Sequence, residues 1–271
     1  SAHPASGGTL DTSVSGYRIH TFLLAQTGSA FTVNTAMDIE YLVIGGGGGD
    51  SSSYAGAGAG GFRTNVVGQT SGGNTSAEAT YSATAQVYTI TVGVGGAGET
   101  NVKHNGGNSS IVPVSGTSII SIGGGAGGSG SGTGQQGNSG GSGGGTYGSY
   151  WTTAVGSGTT GQGYDGSAGE DGYVAYTLGG AGGGAGAAGS ISTGLGIGGA
   201  GLNSNITGSV VGYAGGGSSY RNGASGGNGT ASHGAVSQQN GTDNTGAGAS
   251  AGAGSNTRDG GNGIVIIRYA V

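Results

Sequence analysis

The sequence predicts a mostly β fold with long non-regular stretches and essentially no α-helix. A β-sheet or sandwich base is closed by the C-terminal strand and joined to a bundle of polyglycine-II helices. Three observations carry this. Glycine supplies 75 of 271 residues, about four times the usual share of ~7%, and each glycine inside an α-helix costs ~1 kcal/mol relative to alanine. Short runs of Ile, Val and Tyr alternate with polar residues, the period of half-buried strands. The last eight residues, Ile264-Val-Ile-Ile-Arg-Tyr-Ala-Val271, hold no glycine and follow a stretch, 123–263, in which 52 of 141 residues are glycine. Collagen is excluded, because there is no strict G-X-Y period and only two prolines.

The strands read as follows. Tyr17–Phe22 alternates bulky and polar side chains, and Ala30–Val33 is a shorter example. Asp38–Ile44 begins alternating and ends fully apolar, as a strand buried on both faces does. Val87–Val92 alternates again, followed by Ser110–Val112 and Ser118–Ile122. Gly172-Tyr-Val-Ala-Tyr-Thr177 reads as one short strand, which makes Tyr173 and Tyr176 structural. Ile264–Tyr269 is the most apolar strand and is expected to pair with the N-terminal strands, closing the fold end to end.

Glycine density divides the chain. Of the 75 glycines, 23 lie in residues 1–122 and the other 52 in 123–263. The division is 1–122, β-rich with the first polyglycine runs; 123–263, a polyglycine-II bundle with connecting loops; and 264–271, a strand returning to the first part. All three are compatible with one domain. Residues 123–263 have few side chains large enough for an ordinary core, but they can pack backbone. A polyproline-II-type helix has three residues per turn and points its N–H and C=O groups outward. With glycine at every third place, such helices can approach and hydrogen-bond to one another, giving buried polar groups the partners they require. Gly125, Gly128, Gly134, Gly137, Gly140 and Gly143 share one such register. Gly180, Gly183, Gly186 and Gly189 share a second, and Gly223, Gly226 and Gly229 a third. Glycine loses the most freedom on ordering, so only many inter-helix hydrogen bonds together can hold the bundle.

Composition narrows the chemistry. No cysteine means no disulfide and no thiolate metal site. Six basic residues and a net charge of −5 argue against nucleic acid, whose phosphates need clustered Lys and Arg. The longest apolar runs are far short of the ~20 residues of a membrane span. The N-terminus lacks the basic region and apolar core of a signal peptide. It begins at Ser1 without Met, as a processed chain would. Ile39–Ile44 followed by five glycines satisfies G-x-G-x-x-G, but no helix pattern follows to make a dinucleotide site. The four histidines, His3, His20, His104 and His233, have no metal-ligand spacing, and His20 reads as structural within its strand. Arg258-Asp-Gly-Gly-Asn-Gly263 has the flavour of a calcium-binding toxin repeat, without the fixed period of an array. No carboxylate pair or nucleophile elbow is singled out. The reading is therefore non-enzymatic, with no catalytic residue, metal or cofactor.

The informative residues are aromatic interruptions of the glycine. Tyr147, Tyr150 and Trp151 form one cluster, Tyr213, Tyr220 and Arg221 a second, and His233 marks a third, more polar one. Tyr, Trp and Arg are favoured anchors of binding surfaces, and Tyr/Ser/Gly/Asn loops bind adaptably.

Several motifs in order make a familiar pattern. They are Gly7-Gly-Thr9, Gly16–Phe22, Ser29–Val33 and Ile39–Gly49, then Gly58–Arg63, Tyr88–Gly93, Gly95–Gly98 and the closing Gly260–Tyr269. This order resembles the glycine-rich domain of bacteriophage fibre and adhesin proteins, of the T-even-like tail-fibre-tip type, over nearly the whole chain. The resemblance implies polyglycine-II helices with variable loops that contact a host receptor. The chain lacks an identifiable fibre-attachment domain. The expectation is a virion or extracellular adhesin whose partners are a host outer-membrane protein or glycan and other fibre proteins, without membrane insertion. A structural virion appendage or surface filament component is the alternative. An ice-binding protein is a further one, disfavoured because Thr is not periodic.

Overall fold

A computed structural model describes residues 3–51, 54–130, 135–148, 154–172, 176–192, 194–221, 227–228, 232–252 and 256–271. Eleven strands build a two-sheet base: β1 (Ala5–Ser6), β2 (Thr9–Asp11), β3 (Tyr17–Phe22), β4 (Ala30–Val33), β5 (Met37–Ile44), β6 (Phe62–Thr64), β7 (Tyr81–Ala83), β8 (Val87–Thr91), β9 (Ser109–Pro113), β10 (Ile119–Ser121) and β11 (Ile264–Ala270). One sheet runs β1-β4-β8-β9-β10. The other runs β2-β3-β11-β5-β6, with β7 also paired to β5. Helical residues among those described are all 3-10: the short turns Leu24–Gln26 and Gly72–Asn74, and Gln135.

The C-terminal strand lies where its composition demands. β11 pairs antiparallel with β3 on one side and β5 on the other. It is thus central in its sheet although its partners lie more than 200 residues away. Its alternate residues serve two cores. Val265, Ile267 and Tyr269 join Phe22, Tyr41 and Val43 against Phe31, Tyr88, Ile90 and Ile111 of the facing sheet. Ile264 and Ile266 join Ile19, Leu42, Ile44 and Phe62 in a second core on the opposite face, with Ile206 and Tyr213. The apolar end of β5 is therefore buried on both faces, as its sequence predicts. Arg268 takes the next place on the second face. Its Nε donates to Glu40 at 2.5 Å, its guanidinium lies 4.5 Å over the Tyr17 ring, and it donates to the Ile206 carbonyl.

The sandwich strands run on directly into the bundle. β5 continues into residues 45–50, which donate their amides to three neighbours in rotation. Gly45 bonds to Gly61, Gly46 to Gly107 and Gly47 to Gly261; then Gly48 bonds to Gly58, Gly49 to His104 and Asp50 to Arg258. Every third residue returns to the same neighbour, three places along it. That is a helix of three residues per turn, as in polyglycine II. Its carbonyls are used in the same way. Gly46 and Gly49 accept from Gly124 and Gly127, Gly47 and Asp50 from Gly96 and Glu99, and Gly48 from Ala249. Six segments thus surround one. Residues 56–61 show the same rotation, donating to Gly180, Ala249, Gly125, Gly183, Gly246 and Ile122 in turn.

Close approach is what selects glycine here. A Cβ built on Gly47 would lie 1.9 Å from the Ala247 carbonyl oxygen, well inside contact distance. The bundle draws glycine runs from both sides of residue 122: residues 45–50 and 56–61 lie inside it. Residues 125–128 and 137–145 belong to different segments, since Gly125 and Gly128 donate to Ser142 and Gly145. The expected single strand over 172–177 is corrected to two: Glu170–Gly172 pairs antiparallel with Tyr176–Leu178. Tyr173 lies outside the described residues.

Candidate functional site

The antiparallel pair β5 and β6 fixes the polarity of the bundle. Ile44 pairs with Phe62 at the sandwich, and residues 45–50 lead away from it antiparallel to residues 56–61. Six residues at ~3.1 Å each carry Asp50 about 19 Å from the sandwich. Tyr54 stands at this distal end. The Tyr220 amide donates to the Tyr54 carbonyl at 3.0 Å. The Tyr54 ring lies 5.2 Å from the Tyr147 ring, edge-on at 85°, and 6.1 Å from the Tyr220 ring. All three tyrosines are half-buried. Burial, and then the neighbouring Tyr54, push the Tyr147 phenol above its usual range, so it stays neutral and can donate a hydrogen bond. The Tyr147 amide is anchored on the Gln135 carbonyl at 2.7 Å. Tyr220–Arg221 forms a short strand against Gly227–Asn228, and Arg221 pairs with Leu178.

The residues singled out in the sequence therefore divide. Tyr147, Tyr220 and Arg221 share the distal end. Tyr213 does not: it pairs with Leu202 in a hairpin, is 4% exposed and belongs to the second core of the base. Its ring is withdrawn from the surface, because Val211-Gly-Tyr213 is a strand, not the loop its glycine flanks imply. His233 also lies away from the tyrosines. Its carbonyl accepts from Gly215, its ring packs on Gly212, and Ser232 Oγ is 2.8 Å from its Nδ1. Burial lowers its pKa from the usual histidine value. Tyr150 and Trp151 lie outside the described residues. Tyr54 was missed in the sequence, because it stands alone among Ser and Ala-Gly repeats with no aromatic neighbour.

A second missed pattern seals the edge of the bundle. Segments there lack a backbone partner on one side, and Asn or Asp side chains replace it. Asn105 and Asn108 accept the amides of Ala126 and Gly123. Asp259 and Asn262 accept those of Gly98 and Gly95. Asn240 and Asp243 accept those of Asp259 and Asn262. Each pair is spaced by three residues, because a threefold helix presents the same side every third residue. The Asp259 and Asn262 of Arg258–Gly263 are spaced by this rule. Among the described residues, no three His, Asp or Glu gather to hold a metal.

One open polar cleft of about 470 Å³ lies beside Asn65, Gln69, Asn74 and Glu78. Its carboxylate is already engaged: Glu78 accepts two bonds from Arg63, at 2.7 and 2.6 Å, and one from the Tyr41 hydroxyl at 2.7 Å. Burial and Glu78 push the Tyr41 phenol up, so this group is a structural brace. Among the described residues, no helix is long and apolar enough to cross a membrane.

No curated protein matches the chain significantly. A family model described as a glycine-rich domain matches residues 25–270, a span from β4 through the bundle to the end of β11. The chain belongs to this glycine-rich domain family.

Proposed function

We propose that the chain is a non-enzymatic component of a bacteriophage fibre, acting outside the cell as an adhesin whose distal end meets a host cell-surface receptor. The observation that carries this reading is the gathering of Tyr54, Tyr147 and Tyr220 at the end of the bundle remote from the sandwich. A half-buried tyrosine offers large contact area at little entropic cost. Backbone packing fixes the platform beneath, so residues at the distal end can change without disturbing a core. The receptor is an outer-membrane protein or glycan, and the sandwich end faces other fibre proteins.

The test is binding of fluorescently labelled protein to a broad panel of bacterial cells. The comparison is a Tyr54→Ser, Tyr147→Ser, Tyr220→Ser variant with an unchanged circular dichroism spectrum. Selective binding by the parent and at least a tenfold loss in the folded variant is expected, as for removal of interface anchors worth ~2 kcal/mol in sum. Binding to no cell would overturn the adhesin reading in favour of a purely structural appendage.

A further inference from the structure

Residues 65–80 join β6 to β7 as a loop closed at its foot. The Glu78 amide donates to the Thr64 carbonyl at 2.9 Å. Beyond this bond, Thr70–Ser71 pairs antiparallel with Thr75–Ser76, turned through Gly73 at φ +67°. Compact surface loops whose ends meet are frequently functional. This one is held at several points. The buried Asn65 accepts from the Tyr41 amide and donates to the Ile39 carbonyl. Gln69 accepts from Ser204 Oγ at 2.9 Å. Asn74 Nδ2 donates to the Gly186 carbonyl at 3.0 Å, and the Gly73 amide to the Ala185 carbonyl at 2.9 Å.

This loop lines the open cleft of about 470 Å³. The volume is that of a small-molecule site, roughly 300–1,000 Å³, but such sites are mostly apolar. Here Thr70, Asn74, Ser76, Glu78 and Thr80 line the space together with Val67. The Thr70, Ser76 and Thr80 hydroxyls make no hydrogen bond among the described residues. Among the described residues of the lining only Glu78 is ionisable, and Arg63 neutralises it. An anion therefore finds no unpaired cation in the lining. A cation finds the carboxylate already bonded to Arg63 and Tyr41. Val67, 86% exposed, offers an apolar contact beside the hydroxyls.

We propose that this cleft binds a neutral saccharide of one or two sugar units. Sugar hydroxyls both donate and accept, as the Thr and Ser hydroxyls facing them do. The C–H surface of a sugar ring suits Val67. The loop is already tied down, so binding orders little further chain. An open site with few contacts is weak, with a dissociation constant on the order of 1 mM. The cleft shares no residue with the distal tyrosines and does not depend on the receptor reading.

The test is a protein NMR titration with maltose, cellobiose, lactose and diacetylchitobiose, and with glucuronate and glucosamine as charged controls. At least one neutral disaccharide is expected to shift the amides of residues 65–80 saturably, and neither charged control to bind as tightly. A Ser76→Ala, Thr80→Val variant removes two exposed hydroxyls, so it is expected to keep the parental circular dichroism spectrum and thermal midpoint. It should weaken the sugar by about tenfold or more. The folded Tyr54→Ser, Tyr147→Ser, Tyr220→Ser variant should bind the sugar as the parent does. No saturable shift in this loop up to about 10 mM sugar overturns the proposal. So does binding that the hydroxyl variant leaves unchanged, binding lost in the tyrosine variant, or tighter binding of a charged control.

Discussion

The sandwich and the bundle are one continuous chain held by opposite means. In the sandwich, strands stand apart and large side chains fill the space: Phe22, Phe31, Phe62, Tyr88 and Ile90 are among the most buried. In the bundle, the backbones themselves are the filling. There Ala57, Ala59, Ala126, Ala181 and Ala249 are typical of the buried side chains, and backbone amides bond to the carbonyls of neighbouring segments. The difference shows that glycine here is a packing residue in its own right, fitted to its neighbours as closely as a buried phenylalanine. The two regions should then fail to opposite substitutions, the sandwich to removal of atoms and the bundle to their addition.

Adding a methyl in the bundle and removing a ring from the sandwich test this directly. Gly47→Ala adds one carbon, 1.9 Å from the Ala247 oxygen and 2.4 Å from its carbonyl carbon. Both are backbone atoms of a segment held by its own neighbours, so neither can yield cheaply. Phe31→Ala removes a ring from the sandwich core and is expected to cost about 3–5 kcal/mol. We expect Gly47→Ala to cost about as much, measured by chemical denaturation. Gly16→Ala is the control. Gly16 has φ +80° with nothing within 4 Å of an added Cβ, so only the left-handed backbone is strained, by about 1–2 kcal/mol. If Gly47→Ala cost no more than Gly16→Ala, close backbone packing would not be what holds the bundle.

At the rim a side chain stands in for the backbone acceptor. Asn108 Oδ1 accepts the amide of the buried Gly123 at 2.9 Å. Asn108→Ala leaves that amide without this partner and is expected to cost about 1–3 kcal/mol. Asn108→Asp keeps the acceptor and is expected to stay within about 0.5 kcal/mol of the parent. Equal losses in the two variants would show that the side chain acts through something other than that bond.

This pattern also shows what the sequence could and could not reveal. The alternation in Tyr17–Phe22 and the apolar run ending at Ile44 located their strands, because a strand's period is written in neighbouring residues. The three-residue period of glycine pointed to the helix type for the same reason. Sheet order is set by pairings across hundreds of residues, such as Ile267 with His20, and leaves no local trace. Asn105-x-x-Asn108 and Asp259-x-x-Asn262 were visible as spacings. Their meaning depends on knowing which segments lack a neighbour. Tyr54, Tyr147 and Tyr220 come from three distant stretches and meet only through the bundle's packing, while Tyr213 sits in a similar glycine-rich context and is core.

The smallest expected effect separates the base from the bundle by pH. His20 lies on β3 and is 1% exposed. Its Nδ1 is 2.7 Å from the Gly7 carbonyl, to which it donates, and its Nε2 accepts from the Tyr269 hydroxyl at 3.3 Å. It ties the crossing from β1 to β2 onto the C-terminal strand. Burial, the largest influence, lowers its pKa from the ordinary 6.5, and the nearby His3 adds to this, against the opposing effect of the Gly7 bond. The folded chain thus favours the neutral ring, while the unfolded chain takes up a proton near pH 6.5. Stability from this residue is complete above about 6.5. It declines as pH falls toward the depressed folded value, by at most about 1.4 kcal/mol per pH unit. His233, also lowered by burial, acts in the same direction from outside the sandwich. Denaturation midpoints between pH 8 and 5.5 should therefore fall for the parent and fall less steeply for His20→Gln, with the remaining slope reduced further by His233→Gln. An unchanged slope in His20→Gln would mean that the clasp at Gly7 and Tyr269 accommodates the charged ring, and that acid sensitivity resides in the bundle instead.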